Sequence, residues 1–430
     1  MDTKNSGKEN NSTPKRSGIF YGWKMAFAGL GIGFYQDGTG HYGFTVFFDQ
    51  ILMHFPGWPQ WAVSIGPSLQ RLNSGILAPV TGYMVDHWGS RRTLILGFMV
   101  GGLAFILLGL IQNMWQFYVV LLILAFGSSA GSYVVATAAV SNWFSRMRGR
   151  AISIVVLGPG LSGILAAVWV PIIDWSDWRT ACFIAGVGFW VFCIPLAMVM
   201  RSRPEDYGLS KDGDEITEKL DYEQPFGTKQ TNQDIVMSMH DILRSRSYWQ
   251  YVAFGALALG TQSGLVLFLM PALKSYGISM AASGVIVMWF TVSSIPIRLL
   301  SGVLADRFDK RLVIAVAMVL QVLGVMAFAS VTNTFMAFVA AFMIGSAIGL
   351  RNPARLALQA EYWGTSVFGR VGGIQMGVAA IPGIITPMFV GLVFDMTGSY
   401  RLAFFVLAGI TSIAIPLVLT LKRPSFPTGN

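Results

Sequence analysis

Twelve apolar runs, each long enough to cross a bilayer, dominate this chain. A membrane-spanning helix needs about 20 mostly apolar residues. Such runs fall near residues 20–46, 61–85, 93–112, 116–141, 150–171, 180–200, 248–272, 281–304, 312–331, 334–357, 369–393 and 401–421. The strands of a closed barrel alternate over much shorter segments, so the spacing predicts an all-α membrane protein with twelve transmembrane helices. Of the 430 residues, 54% are hydrophobic and 12% charged, against about 25% charged in soluble domains. That excludes a disordered chain, a coiled coil and an ordinary soluble fold. A net charge of +9 would suggest nucleic acid in another protein. Here the basic residues collect in short loops rather than on one face, and the expected partner is the lipid bilayer, not nucleic acid. Cys182 and Cys193 share one apolar run and would stand roughly 16 Å apart along a helix, too far to bridge.

The loops orient the spans. With the N-terminus in the cytoplasm, the inner segments hold Lys24, Arg91, Arg92, Arg146, Arg148, Arg150, Arg307, Lys310, Arg311, Lys422 and Arg423 among others. The outer loops hold Arg179, Lys274 and Arg401. Positive loops stay inside, which predicts cytoplasmic termini. Residues 1–18 form a polar tail that leads straight into a full-length span, so no cleaved signal is expected. One long polar insert, 201–247, divides the spans six and six. The expected organisation is a tail (1–18), a six-helix half (19–200), a solvated cytoplasmic linker (201–247), a second half (248–421) and a short tail (422–430).

The halves repeat. Gly82 and Gly302, Asp86 and Asp306, Trp143 and Trp363, and Arg150 and Arg370 each lie 220 residues apart. Four anchors at one offset imply parallel structural repeats related by an axis along the membrane normal, with a pathway between them.

The loop after span two reads Gly82-Tyr-Met-Val-Asp86-His-Trp-Gly89-Ser-Arg91-Arg92, and its weaker copy spans Gly302–Arg311. This resembles the Gly-x-x-x-Asp-(Arg/Lys)-x-Gly-x-Arg-Arg signature of the major facilitator superfamily, with His87 in place of the usual basic residue. Further stretches are Tyr21-Gly22-Trp23, Trp143–Ala151 with Gly158 and Gly163, Arg203-Pro-Glu-Asp-Tyr-Gly-Leu209, and Arg298–Asp306. They are similar to the bacterial branch of the monocarboxylate transporter family and its oxalate/formate antiporter relatives. The acidic residue of that family's first signature is missing before Tyr21, Ser294 replaces a frequent Asp, and span eleven has no Lys. The resemblance implies a secondary transporter whose span-eight arginine, here Arg298, binds a substrate carboxylate. Asp86, Arg91, Arg92, Asp306 and Arg307 fall in the gating loops, where an acid at one helix end and arginines opening the next can pair across the halves.

A charge at the centre of a membrane helix costs roughly 2.5–3.5 kcal/mol on insertion scales, so such residues are functional candidates. Arg71, Arg298 and Arg351 all fall near mid-depth. Arg298 is the leading anion ligand on its own chemistry too, because its planar five-donor fork matches a carboxylate. Arg71 and Arg351 are either substrate contacts or structural pairs, and Arg355 is expected to snorkel to the inner interface. Tyr133 and Gln262 are polar positions that line the cavity or bond between helices. Asp37 is the one deep acid in these spans, with His41 a turn beyond it. A carboxyl held away from water, or an imidazole, can carry a coupled proton; alternatively Asp37 pairs with Arg71. Gly127-x-x-x-Gly131 and Gly345-x-x-x-Gly349 read as close helix packing. Gly158-Pro-Gly160-Leu-Ser-Gly163 is similar to a drug/proton antiporter motif, with a different upstream glycine spacing.

The expectation is a monomeric carrier in the plasma membrane, of the bacterial inner-membrane type, moving a small carboxylate with a proton by alternating access. Proton-independent anion exchange and drug efflux are the alternatives. No enzyme, cofactor or metal site is expected, since the spans carry no catalytic constellation or metal-ligand spacing, and no nucleotide-binding glycine loop occurs.

Overall fold

The computed structural model describes residues 20–202, 204, 207, 212, 239–364 and 367–423; at 69–76, 78, 79, 368 and 369 the backbone alone is described. Among these residues nine helices are long and apolar enough to cross a membrane, or ten counting a pair, Arg246–Leu267 and Leu269–Ser275, bent by 56°. The first two spans complete the expected set. Span one is Tyr21–Gly40 followed by Phe44–His54, longer than its hydropathy suggests. Span two is the first part of the helix Gln60–Gly109, which turns into span three at Gly89. That turn needs φ +79°, open to glycine without steric penalty.

The 220-residue repeat extends into contacts that sequence inspection does not reveal. Asn113 opens span four by accepting the Gln116 N–H at 3.0 Å, and Asn333 opens span ten by accepting that of Met336 at 2.9 Å. Each supplies a partner for an N–H that a helix start leaves unpaired. Two basic residues in the loops opposite the linker, Arg179 and Arg401, also have matching duties. Arg179 donates to the Gly109 and Ile111 carbonyls, at 2.7 and 3.3 Å, and Arg401 to that of Val331 at 3.1 Å. Each closes carbonyls just past the end of span three or nine. Asp177 starts span six by accepting the Thr180 N–H at 2.6 Å, and this bond holds its carboxyl below the usual carboxylate range.

Small residues set the helix spacing. A Cβ on Gly97 would lie 2.1 Å from the Gly131 nitrogen, and one on Gly127 would lie 2.6 Å from that of Gly101. Spans three and four therefore touch backbone to backbone, the packing role expected for the Gly127–Gly131 pair. Gly345 and Gly349 of span ten meet the Phe290 and Ser294 carbonyls of span eight in the same manner. Cys182 and Cys193 are buried and separate.

The linker is not wholly solvated. The Arg201 guanidinium stacks on the Tyr21 and Tyr207 rings, 4.1 and 4.0 Å from their centroids. Ser202 Oγ accepts the Ser90 N–H at 3.2 Å, and Asp212 accepts those of Ser145 and Arg146 at 2.9 and 2.7 Å. The start of the linker thus straps the loop after span two to the loop after span four. Residues 213–238 lie outside the described residues.

Candidate transport site

Hydrogen bonds between the two halves gather on the face opposite the linker. Asp395 of span eleven accepts the Gln60 and Trp61 N–H groups, both at 3.1 Å, and so caps the start of span two. Tyr400 donates to Gln60 Oε1 at 2.6 Å. Lys274 pairs with Asp49 at 2.8 Å. Thr45 Oγ1 donates to the Leu267 carbonyl at 2.9 Å and accepts the Met270 N–H at 3.2 Å. On the linker face, Asp86, Arg91, Arg92, Asp306 and Arg307 are exposed. Among the described residues none of these five forms an ion pair, so the expected cross-half pairing is not made in this state. The second copy of the loop makes other bonds instead: Lys310 with Glu361 at 2.6 Å, and Arg311 with Asp309. The Arg311 fork holds the Asp309 carboxyl below the usual carboxylate range.

Between the closed face and the exposed loops lies a cavity of about 610 Å³. Asp37, His41, Gln36 and Ser128 contribute polar wall, Val266 and Leu267 reach it from span seven, and Asp86 lies at its linker end. The helix of span one stops at Gly40, and the His41 and Tyr42 N–H groups both return to the Asp37 carbonyl, at 3.0 and 2.9 Å. Asp37 and His41 are therefore on the cavity wall at a helix break rather than along one continuous face. Gln36 holds the site rigid: its Nε2 donates to the Ser128 carbonyl at 3.0 Å, and its Oε1 accepts the Tyr133 N–H at 3.1 Å.

Arg298 approaches from span eight. Its terminal nitrogen lies 3.9 Å from the Cβ position of Gly160, and Thr291, two turns earlier, fills the space beside Gly163. The glycines of the span-five motif thus seat span eight against the other half. Arg298 is not among the residues lining this cavity, and its Nε is buried without a hydrogen-bond partner. A buried donor left unpaired costs about 1–3 kcal/mol, which an arriving acceptor removes. Tyr42, absent from the sequence-based candidates, sets its ring 4.7 Å from the His41 imidazole. Its ring meets Phe290 of the other half at 6.0 Å. Its position next to His41 in a short turn was the available signal.

Arg351 is 1% exposed. It donates to Gln262 Oε1 at 2.8 Å and to Gln321 Oε1, tying span ten to spans seven and nine. Arg355 does not snorkel: it is buried, donating to Tyr251 Oη at 3.0 Å and to Gln375 Oε1. Neither arginine has an acidic partner among the described residues. The Arg71 side chain lies outside the described residues. Asp49 is a buried acid the sequence reading missed, because span one was ended before it.

A helical membrane protein in two six-helix halves, with a cavity between a sealed face and an open one, is built as a transporter and not as an enzyme. The chain belongs to the Major Facilitator Superfamily, whose pattern it matches over residues 30–271 and 252–430. It is 24% identical to the MFS-type transporter pynF of Aspergillus niger over 71% of this chain and 66% of that protein. It is 24% identical to monocarboxylate transporter 12 of Xenopus laevis, covering 81% of this chain and 77% of the relative. Multidrug resistance protein MdtG of Klebsiella pneumoniae is 25% identical, covering 83% of each. Among solved structures, the fold matches a bacterial homolog of the human lysosomal transporter Spinster, in its inward-facing and occupied conformation. The TM-score is 0.70 at 14% identity, over 96% of this chain and 98% of that one.

Proposed function

We propose that this protein carries a small organic anion, a monocarboxylate, together with a proton, by alternating access across a bacterial inner membrane. The observation that carries the reading is the Arg298 Nε, buried without a hydrogen-bond partner. A carboxylate is the acceptor whose geometry fits that fork. Arg71 and Arg351 add positive charge at mid-depth, and Tyr133 and Gln262 supply polar contacts. Asp37 and His41 line the cavity where a proton would travel with the anion. Asp86, Arg91, Arg92, Asp306 and Arg307 serve the linker-face gate, which the loop charges assign to the cytoplasm. The likeness to monocarboxylate transporter 12 supports the substrate class. The protein works as a monomer, since each half supplies part of the one pathway.

The test is uptake of a radiolabelled monocarboxylate into proteoliposomes holding the purified chain. Acidifying the outside should raise the initial rate severalfold. Uptake that ignores a proton gradient but follows membrane potential would refute the coupling, because one anion with one proton moves no net charge.

A further inference from the structure

Three of the stretches singled out in the sequence meet at the linker-face end of the first half. Tyr21 opens span one, Trp143 ends span four, and Tyr207 lies in the linker. The Trp143 ring stands 5.4 Å from that of Tyr21 and 6.4 Å from that of Tyr207. Trp143 Nε1 donates to the Arg201 carbonyl at 3.0 Å, and Asn142 Nδ2 to that of Ser202 at 3.3 Å. Ser202 Oγ accepts the Ser90 N–H, inside the Gly82–Arg92 signature. The loop after span two, the end of span four and the exit of span six are thus joined through two linker residues. The second half joins the same three places with different chemistry. Lys310, Arg311, Glu361 and Leu421 stand 220 positions after Ser90, Arg91, Ser141 and Arg201. Lys310 pairs with Glu361 at 2.6 Å, and Arg311 Nη1 donates to the Leu421 carbonyl at 2.9 Å.

We propose that each gating loop is held in place by a tether to the exit of its own half's last span. Ser202 and Asp212 are positioning residues of the first tether, and Lys310 and Glu361 of the second. Arg91, Arg92 and Arg307 then reach one arrangement when the linker face closes, and less freedom is lost at that step. This rests on the assignment of those loops to the linker-face gate. Two observations support it. The connection recurs although the residues do not: a serine hydroxyl receiving a backbone N–H stands where the other half has an ion pair. Asp212 fixes the far end of the first tether by accepting the Ser145, Arg146 and Met147 N–H groups, at 2.9, 2.7 and 3.3 Å. It does so at φ 60°, a left-handed conformation uncommon outside glycine and held here by those three bonds.

The experiment puts spin labels on Trp88→Cys and Phe308→Cys, exposed sites in the two loops, in the full-length chain in phosphatidylcholine nanodiscs. The native cysteines are buried. Ser202→Ala combined with Asp212→Ala should broaden the distance distribution, and so should Glu361→Ala alone, with the melting temperature unchanged. In proteoliposomes each variant should lower the maximal uptake of radiolabelled lactate by about two- to tenfold, the weight of one lost hydrogen bond. The half-saturating concentration should stay as in the unsubstituted chain, since the loops do not touch the solute. An unbroadened distribution in both variants would overturn the tether, whatever the substrate is. Broadening with an unchanged uptake rate would overturn the positioning role. An Asp86→Asn chain run alongside should also lose maximal rate; if it does not, the gate assignment is what has failed. If the unsubstituted chain takes up no lactate while the labels behave as expected, the monocarboxylate reading falls and the tether stands.

Discussion

The Thr45 hydroxyl closes a break in a helix of the other half: it donates to the Leu267 carbonyl at 2.9 Å and accepts the Met270 N–H at 3.2 Å. These are backbone groups that the 56° bend after Leu267 sets free, and buried backbone groups left unpaired are costly. Thr45 is 1% exposed, and Leu267 roofs the cavity. The bend, the roof and the seal between the halves thus meet at one side chain.

Thr45→Val keeps the shape and removes both bonds. Two buried backbone groups are left unpaired, each at about 1–3 kcal/mol, so the sealed state should lose population to one open on the face opposite the linker. Spin labels at Met53 and Tyr276 should report a longer distance in a larger fraction of molecules. Thr45→Ser should behave as wild type. A Thr45→Val distribution identical to wild type would show that the seal does not depend on this hydroxyl.

The Asp49–Lys274 pair is unequally buried, at 5% and 23% side-chain exposure. Lys274→Met strands a carboxylate in the protein, whereas Asp49→Asn leaves an ammonium that can swing toward water. Removing one partner of a buried pair costs up to about 3–5 kcal/mol, and less where the survivor reaches solvent. Lys274→Met should therefore lower the melting temperature more than Asp49→Asn, and the double variant should recover part of the loss. The reverse order in thermal unfolding would contradict this account.

Arg298→Lys keeps the charge and loses the planar fork. Charge-assisted hydrogen bonds contribute roughly 1.5–3 kcal/mol each, so carboxylate affinity should fall by about tenfold or more in a folded variant. Unchanged affinity in a binding titration would remove Arg298 from the site.

Asp37→Asn tests the proton path. It should abolish the response of uptake to an acid gradient while leaving substrate exchange between loaded vesicles, which needs no net proton movement. Retention of the full pH response would exclude Asp37 as the carrier.

How far the sequence could be read follows from the range of each interaction. The helices, the loop signature and the repeat were legible because bilayer thickness and helical rise act on contiguous residues. Arg298, Asp37 and Tyr133 were legible as candidates because polar groups at mid-span stand out in an apolar run. Their placement in the fold was not: Asp37 and Arg298 lie 261 positions apart, and the sequence offered Arg71 as the partner of Asp37. Asp49 escaped notice because hydropathy ended span one at residue 46, while the structure carries the helix to His54.

The chain by itself determined that it spans a membrane in two related sets of helices with cations placed at mid-depth, since burial cost and periodicity are local properties. Tertiary structure alone decided which face is sealed, that Arg351 and Arg355 are held by amides and a phenol, and that Thr45 bridges the bend in span seven. Those outcomes depend on which helix faces meet across the two halves. A hydrogen bond between residues more than 200 positions apart leaves no mark on the residues beside either partner.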